Sequence, residues 1–514
     1  VTLKAARWFI VSVGGLLVLL AIVAGAGSRT ETLRQLVITT LEDRFDSDVE
    51  LQSFSVDTFP TVHIAGAGLV LRLKGRTDVP ALISIRSFAV DGGLLGLLSR
   101  PRRFRLVTLD GLEINIPPGG VKTGGESDAE GQSGADSPIV IDRLESSDAL
   151  LRLIPRREGK APREFAIHRL SMDALGRAER MPFEAELTNP LPRGYIRTAG
   201  TIGPWRKRSP GETGISGQYT FDKADLSTIK GIGGILTSAG EFGGTLARIA
   251  VKGQTSTPDF HLNLSRQPVP LTTEFEAVVD GTDGDTYLNA VNAKLAGTAL
   301  FAKGAIAGTP GVRGRTVRLH VKIEDGRIED LLRLAVRTER PLLTGRLALH
   351  TDFVLPPGED DVIDRLALAG EFDLERTTFT DAGVQSKLAG LSQRARGENP
   401  TETPESVVSD LEGAFRLRSG TLSFTNLRFG IPGATVQLAG QYNLRTEALA
   451  FDGTLRMKAT ISEAAGGGAK SFFLKVVDPL FREKGAGAVV PIKVRGTPED
   501  PKFGIDVVRA ITPK

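Results

Sequence analysis

The sequence predicts a mainly β chain: strand after strand with one apolar and one polar side, behind a single N-terminal apolar segment. Three observations carry this. After Asp46 the hydrophobic period is two, as in Val317-Arg-Leu-His-Val-Lys-Ile-Glu324, which puts an apolar and a wet face on the same strand. Glycine (59) and proline (28) are abundant for a helical protein, and turn dipeptides separate the alternating runs. No residue from Trp8 to Ala26 is charged, and no second run of that kind follows.

As a helix, residues 8–26 would span roughly 28 Å, close to the hydrocarbon thickness of a bilayer. Trp8, Phe9, Leu16, Leu17, Leu19, Leu20 and Ile22 are its expected anchor side chains. Lys4 and Arg7 precede it, so the positive-inside tendency places residues 1–27 as a cytoplasmic N-terminus plus transmembrane anchor, with the rest exported. Ala24-Gly25-Ala26 also fits a signal-peptide cleavage site. The apolar stretch from Phe9 to Val23 is at the upper limit for a signal peptide and leads into a helical pattern, which favours an anchor. Both readings export the chain, and the absence of cysteine adds little to either.

Residues 28–45 read as a helix, with Ser28 or Thr30 as N-cap and Leu33, Leu36, Val37, Leu41 and Phe45 near 3.6-residue spacing. Alternation then recurs through Leu347, Leu349, Phe353 and Leu355; through Leu366, Leu368, Phe372 and Leu374; and through Val436, Leu438, Tyr442 and Leu444. It returns at Leu449, Phe451, Leu455 and Met457. Asp110-Gly111, Asp280-Gly281, Asp325-Gly326, Ser419-Gly420 and Asp452-Gly453 read as turns, which predicts an antiparallel meander. Residues 117–138 hold almost no apolar side chain and read as a disordered loop, with 397–404 a shorter case. Helical interruptions are expected at 226–236 and 461–481. The expected organisation is therefore 1–27 anchor, 28–116 helix and strands, 117–138 loop, 139–225 middle β region and 226–514 C-terminal β region.

Composition narrows the function. Phe (24) far outnumbers Trp (2) and Tyr (4), so the aromatic set has few polar handles and suits surfaces that stay apolar. The 64 basic and 61 acidic residues nearly balance, which is no nucleic-acid footprint. The glycine clusters at Gly231, Gly233 and Gly234 and at Gly308, Gly311 and Gly314 lack the Gly-Lys-Ser/Thr ending of a phosphate loop and read as turns. His63, His168, His261, His320 and His350 have no partner at metal-ligand spacing. Asp280, Asp283 and Asp285 resemble a calcium loop only faintly, since the terminal bidentate glutamate is missing, and an acidic turn is favoured. Glu359-Asp360-Asp361 reads as solvated acids in a Pro-Pro-Gly loop. Arg100, Arg102, Arg103 and Arg105 could meet anionic headgroups, but a solvated turn before a strand from Leu106 to Ile116 is favoured. No Gly-x-Ser-x-Gly elbow occurs, and no catalysis, cofactor or metal is expected.

The C-terminal stretch runs Asp478-Pro-Leu-Phe481, Gly485-Ala-Gly487, Val490-Pro-Ile-Lys-Val-Arg-Gly-Thr497 and Pro501-Lys-Phe-Gly-Ile-Asp506. With Gly370-Glu-Phe-Asp-Leu-Glu375, Leu411-Glu-Gly-Ala-Phe415 and Pro432-Gly-Ala434, it resembles the C-terminal region of AsmA-like proteins. The apolar N-terminal run, the short helix, Phe59-Pro60 and Leu94-Leu-Gly-Leu-Leu98 before a basic turn resemble that family's opening domain. The family is related to TamB and the chorein-type bridge proteins of lipid transport. The resemblance implies a long, curved antiparallel sheet whose concave apolar face forms a groove, with one transmembrane helix and a few short amphipathic helices. About 25 strands at roughly 4.8 Å spacing would make it on the order of 100 Å long.

On that reading the protein is anchored in a bacterial inner membrane, lies mostly in the periplasm and conducts phospholipid passively between membranes. Membrane lipids would be its ligands, with outer-membrane or periplasmic proteins as further partners and no nucleic acid. Leu319, Val321, Ile323, Leu347, Leu349, Phe353, Leu368, Phe372 and Leu374 are the expected lining, with a sealed sandwich core as their alternative. A scaffold or chaperone for outer-membrane protein assembly, pairing client strands with exposed edges, is the alternative function.

Overall fold

The computed structural model describes residues 30–45, 47–57, 61–74, 80–93, 95–96, 99–116, 139–154, 163–176, 180–206, 209–309, 312–337, 340–398, 407–460, 487–498 and 500–505. The chain is mainly β, and the described residues form 25 strands in one sheet with few helices. The expected anchor (8–26) and the expected helix at 461–481 lie outside the described residues, as does the loop 117–138. Among the described residues no helix is long and apolar enough to cross a membrane.

Two compact units divide the chain: 1–225 with 236–254 and 277–286, and 226–235 with 255–276 and 287–514. In the first, the helix Thr30–Phe45 is followed by β1 (Ser47–Glu50) and β2 (Ser53–Asp57), which both pair antiparallel with β3 (Val62–Leu73). β3 pairs with β4 (Ile83–Gly92), and β4 with β5 (Arg102–Ile116). Val37, Ile38 and Leu41 of the helix belong to one buried cluster with Ile64, Phe88, Val90, Val107, Leu109 and Leu144 of the sheet. Alternation of period two supplies the sheet's apolar face here and the helix seals it.

β5 departs from the expected meander, because its partner β6 (Ile139–Leu153) runs parallel to it, Arg102 opposite Ile139 and Ile116 opposite Leu153. The chain must return along all 15 residues of β5, about 50 Å, between them. A tight turn cannot do this, whereas 22 residues (117–138) reach about 75 Å when extended. β7 (Arg163–Leu175), β8 (Met181–Pro190), β9 (Arg193–Ile202) and β10 (Gly214–Asp225) then follow antiparallel, and β12 (Ile235–Thr245) pairs with β10.

The second unit contains β16 (Thr298–Thr309), β17 (Val312–Arg327), β18 (Leu343–Leu355), β19 (Ala367–Phe379) and β20 (Ser409–Arg418). It continues through β21 (Thr421–Ile431), β22 (Ala434–Asn443), β23 (Leu449–Met457), β24 (Ala488–Gly496) and β25 (Pro501–Ile505). Each pairs antiparallel with the next. Ser419-Gly420 is a true two-residue turn, with φ of 48° and 69° and Arg418 opposite Thr421. Asp110-Gly111, Asp325-Gly326 and Asp452-Gly453 instead lie inside β5, β17 and β23. At Gly326 the register shifts, and at Gly453 a Cβ would run into the Gln437 carbonyl of the next strand, so these glycines serve a bulge and a close approach.

The helix expected at 226–236 is only a short turn of 3-10 helix, Leu226–Thr228, followed by the strand β11 (Ile232–Gly233), while β13 (Arg248–Leu262), β14 (Val269–Val279) and β15 (Thr286–Leu295) lie between β12 and β16 in the chain. Three helices stand where strands or loops were expected: Ile328–Ala335, Val362–Arg365 and Ala382–Ala395. The last is capped by Asp381, whose carboxylate accepts from the Val384 N–H at 2.8 Å, and is followed by Gly397 at φ 80°. Its apolar side is Val384, Leu388, Leu391 and Ala395, at helical spacing.

Candidate functional site

The nine expected lining residues share one face of β17, β18 and β19. Leu319 pairs with Phe353 and Phe353 with Leu368; Ile323 pairs with Leu349 and Leu349 with Phe372; Leu347 pairs with Leu374; Val321 faces Thr351. Their surroundings differ. Ile323, Leu347 and Leu374 are buried in a patch shared with Ile328 and Leu331 of the helix Ile328–Ala335, and the other six are half-buried.

The apolar face continues over strands that carry no expected lining residue. Leu411 pairs with Phe429, Phe415 with Phe424 and Leu417 with Leu422; Leu427 pairs with Leu438, and Val436 with Leu455. Along β21 the cover over this face changes. Leu422 packs in the patch beneath the helix Val362–Arg365, with Ile363, Leu366 and Leu417. At the other end Phe429 and Ile431 lie with Leu388, Ala389 and Ala395 of the helix Ala382–Ala395. Between these patches run Phe372, Phe415, Phe424 and Phe451, with ring centroids 6.2 Å (Phe372–Phe415), 6.1 Å (Phe372–Phe424) and 5.8 Å (Phe424–Phe451) apart. The first three rings are half-buried and Phe451 is buried.

Glycines set this strip. Phe372 lies opposite Gly413, Phe415 opposite Gly370, and Phe424 and Phe451 both opposite Gly440. At Gly440 a Cβ would meet the Phe451 ring at 2.8 Å, so that ring occupies room that a side chain would take, whereas at Gly370 a Cβ would strike the His350 carbonyl, a close approach of the neighbouring backbone. Periodicity within a single strand contains no trace of this pairing, because it depends on register between strands. Tyr442, which touches both the strip and the patch beneath Val362–Arg365, has a buried hydroxyl without a hydrogen-bond partner. Burial, then the charge of Glu447, pushes its pKa up to about 12, which keeps it a neutral donor.

The opposite face of these strands is charged. Asp373 faces Glu412 across β19 and β20, and burial, then Glu375, Glu412 and Asp410, hold its carboxyl above the usual carboxylate range. His320 lies opposite Asp352 at 2.5 Å, an exposed cross-strand pair on this face.

The remaining candidates resolve into structure. Asp280 accepts from the Thr282 N–H at 2.7 Å and the Thr282 hydroxyl at 2.5 Å, and Asp283 accepts from the Asp285 N–H at 2.7 Å. Burial works to raise the Asp280 carboxyl, but those bonds from Thr282 and one from the Asp283 backbone hold it below the usual range. The Asp280 and Asp283 carboxylates are thus engaged with their own loop, and among the described residues no cluster suited to a metal ion occurs. Asp361 proves to be a helix cap, accepting from the Ile363 N–H at 2.9 Å. Arg102, Arg103 and Arg105 belong to β5 rather than to a turn before it. A hollow of about 640 Å³ in the first unit is bordered by Glu186 and Arg197, which are already engaged, with the Tyr195 hydroxyl at 2.6 Å and Asp222 at 2.8 Å respectively. No family model, curated protein or solved structure matches the chain.

Proposed function

We propose that this chain is a passive conduit for phospholipid, anchored by residues 8–26 in an inner membrane and extending into the periplasm, with the apolar face of β17 to β24 curved into a groove for acyl chains. The observation that carries the proposal is the half-buried run of Phe372, Phe415 and Phe424 between two helix-covered patches, with a charged face behind it. A soluble sheet would ordinarily cover such a strip with a second layer. Acyl chains supply that layer here while headgroups stay in water. Each methylene sheltered is worth about 0.8 kcal/mol, which is why a two-chain lipid crosses an aqueous gap slowly without such a surface. The order of the C-terminal motifs, which resembles that of AsmA-like proteins, supports the same reading. No energy source is needed, because movement along the strip exchanges one apolar surface for another.

Mass spectrometry of the full chain purified in mild detergent tests this. The expected result is co-purified phospholipid that is lost when Phe372 and Phe424 are both changed to serine. A preparation free of lipid would overturn the conduit, and photo-crosslinks from exposed strand edges to unfolded outer-membrane protein would favour the scaffold.

A further inference from the structure

The connection between β4 and β5, residues 93–101, stands at one identifiable end of the first unit's sheet. Gly92 pairs with Val62, the first residue of β3, so the connection leaves from the Val62 end. The helix Thr30–Phe45 points its start toward that same end. Its C-terminus joins β1, where Ser47 pairs with Leu73 at the far end of β3, and Arg34 reaches the Leu51 carbonyl with Nε at 3.1 Å and Nη2 at 2.7 Å. The helix therefore runs antiparallel to β1 and β2, and Thr30 lies about 6 Å beyond Arg34 toward Val62. Ala26, the last residue of the apolar run, is four residues before Thr30 in the sequence.

The connection itself combines apolar and cationic groups. Leu95 is 85% exposed, and its sequence neighbours are Leu94, Leu97 and Leu98. Gly96 presses against β5, since a Cβ there would come within 2.7 Å of the Arg103 carbonyl, and the Ser99 hydroxyl lies 2.7 Å from the carbonyls of both Gly96 and Pro101. Asp91 pairs with Leu106, so Arg105 lies level with Gly92 at the very end of β4, and Arg102 and Arg103 project past it. Arg103 meets Asp142 at 2.9 Å and Asp91 meets His63 at 2.7 Å, while among the described residues Arg100 and Arg105 have no carboxylate partner.

We propose that Leu95, Arg100 and Arg105 form an interfacial docking element, which seats Leu95 in the membrane that holds the apolar run and sets Arg100 and Arg105 among anionic lipid phosphates. An exposed leucine with unpaired guanidiniums behind it matches a bilayer surface, apolar below and anionic above. With the chain held at residues 8–26 on one side and at Leu95 on the other, two attachments fix the sheet's orientation where one would leave it free to swivel. The inference rests on the anchor reading of residues 8–26, and not on the groove.

The chain has no cysteine, so Leu95→Cys carries one polarity-sensitive fluorophore on the full-length protein. In vesicles of phosphatidylethanolamine and phosphatidylglycerol we expect a blue-shifted emission quenched by doxyl-labelled lipid, with a label at Arg72→Cys, near the far end of β3, remaining in water. Adding Arg100→Gln and Arg105→Gln should weaken the quenched state, by about five-fold for each charge removed (about 1 kcal/mol). An unquenched label on chains that still float with the vesicles would overturn the docking element alone. Quenching of equal strength in phosphatidylcholine vesicles would overturn the role of the arginines. Chains that do not float at all would remove the anchor and this inference with it.

Discussion

Changing Leu349 and Phe372 together to aspartate is expected to abolish lipid retention and leave the fold standing. The two face each other across β18 and β19 and are half-buried. Each carboxylate can therefore remain hydrated, and the cost is mainly the lost apolar contact, about 1.5–3 kcal/mol per site. Two such losses fall within the stability that a folded unit ordinarily has in reserve, about 5–15 kcal/mol. An acyl chain laid over the same surface, however, would meet two charges that it cannot solvate. Circular dichroism and thermal unfolding should show a folded protein with a modestly lowered Tm, while bound lipid falls to background. Loss of secondary structure at room temperature would mean that this face is a sealed core.

Leu144→Asp is expected to do the opposite and unfold the first unit's helix-covered layer. Leu144 has no exposed surface, pairs with Val107 across β5 and β6, and belongs to the same buried cluster as Leu109 and as Val37 and Leu41 of the helix Thr30–Phe45. Removing the leucine costs about 2–5 kcal/mol, and an unpaired carboxylate in that position adds several more. The sum rivals the whole stability of a domain. Limited proteolysis should cut this layer freely in the variant and leave the second unit's strands protected, whereas a wild-type pattern would show that water reaches Leu144. The contrast between the two variants separates a covered apolar face in the first unit from an uncovered one in the second.

That contrast is where reading the sequence stops. Alternation in Val317–Glu324 or Leu347–Leu355 names the apolar side of a strand, and the nine residues chosen on that basis do share a face. Period two is identical whether the side is covered or open, so it cannot separate Leu347, beneath a helix, from Leu349, which is half-buried. The covering helix Ala382–Ala395 had a usable signal in Asp381 followed by Val384, Leu388, Leu391 and Ala395. The parallel pairing of β5 with β6 had none, because a polar loop says nothing about the direction in which the chain returns. The Phe–Gly pairs that shape the strip are a property of register, which joins residues as far apart as Phe424 and Gly440.

The most direct measurement is residue-level photo-crosslinking from a phospholipid carrying a diazirine at the end of one acyl chain, with adducts mapped by mass spectrometry. The account predicts adducts on the apolar strip, at Phe372, Phe415 and Phe424 and their half-buried neighbours, and none on Asp373, Glu412 or His320 behind it. Adducts spread evenly over both faces, or confined to residues 8–26, would contradict it.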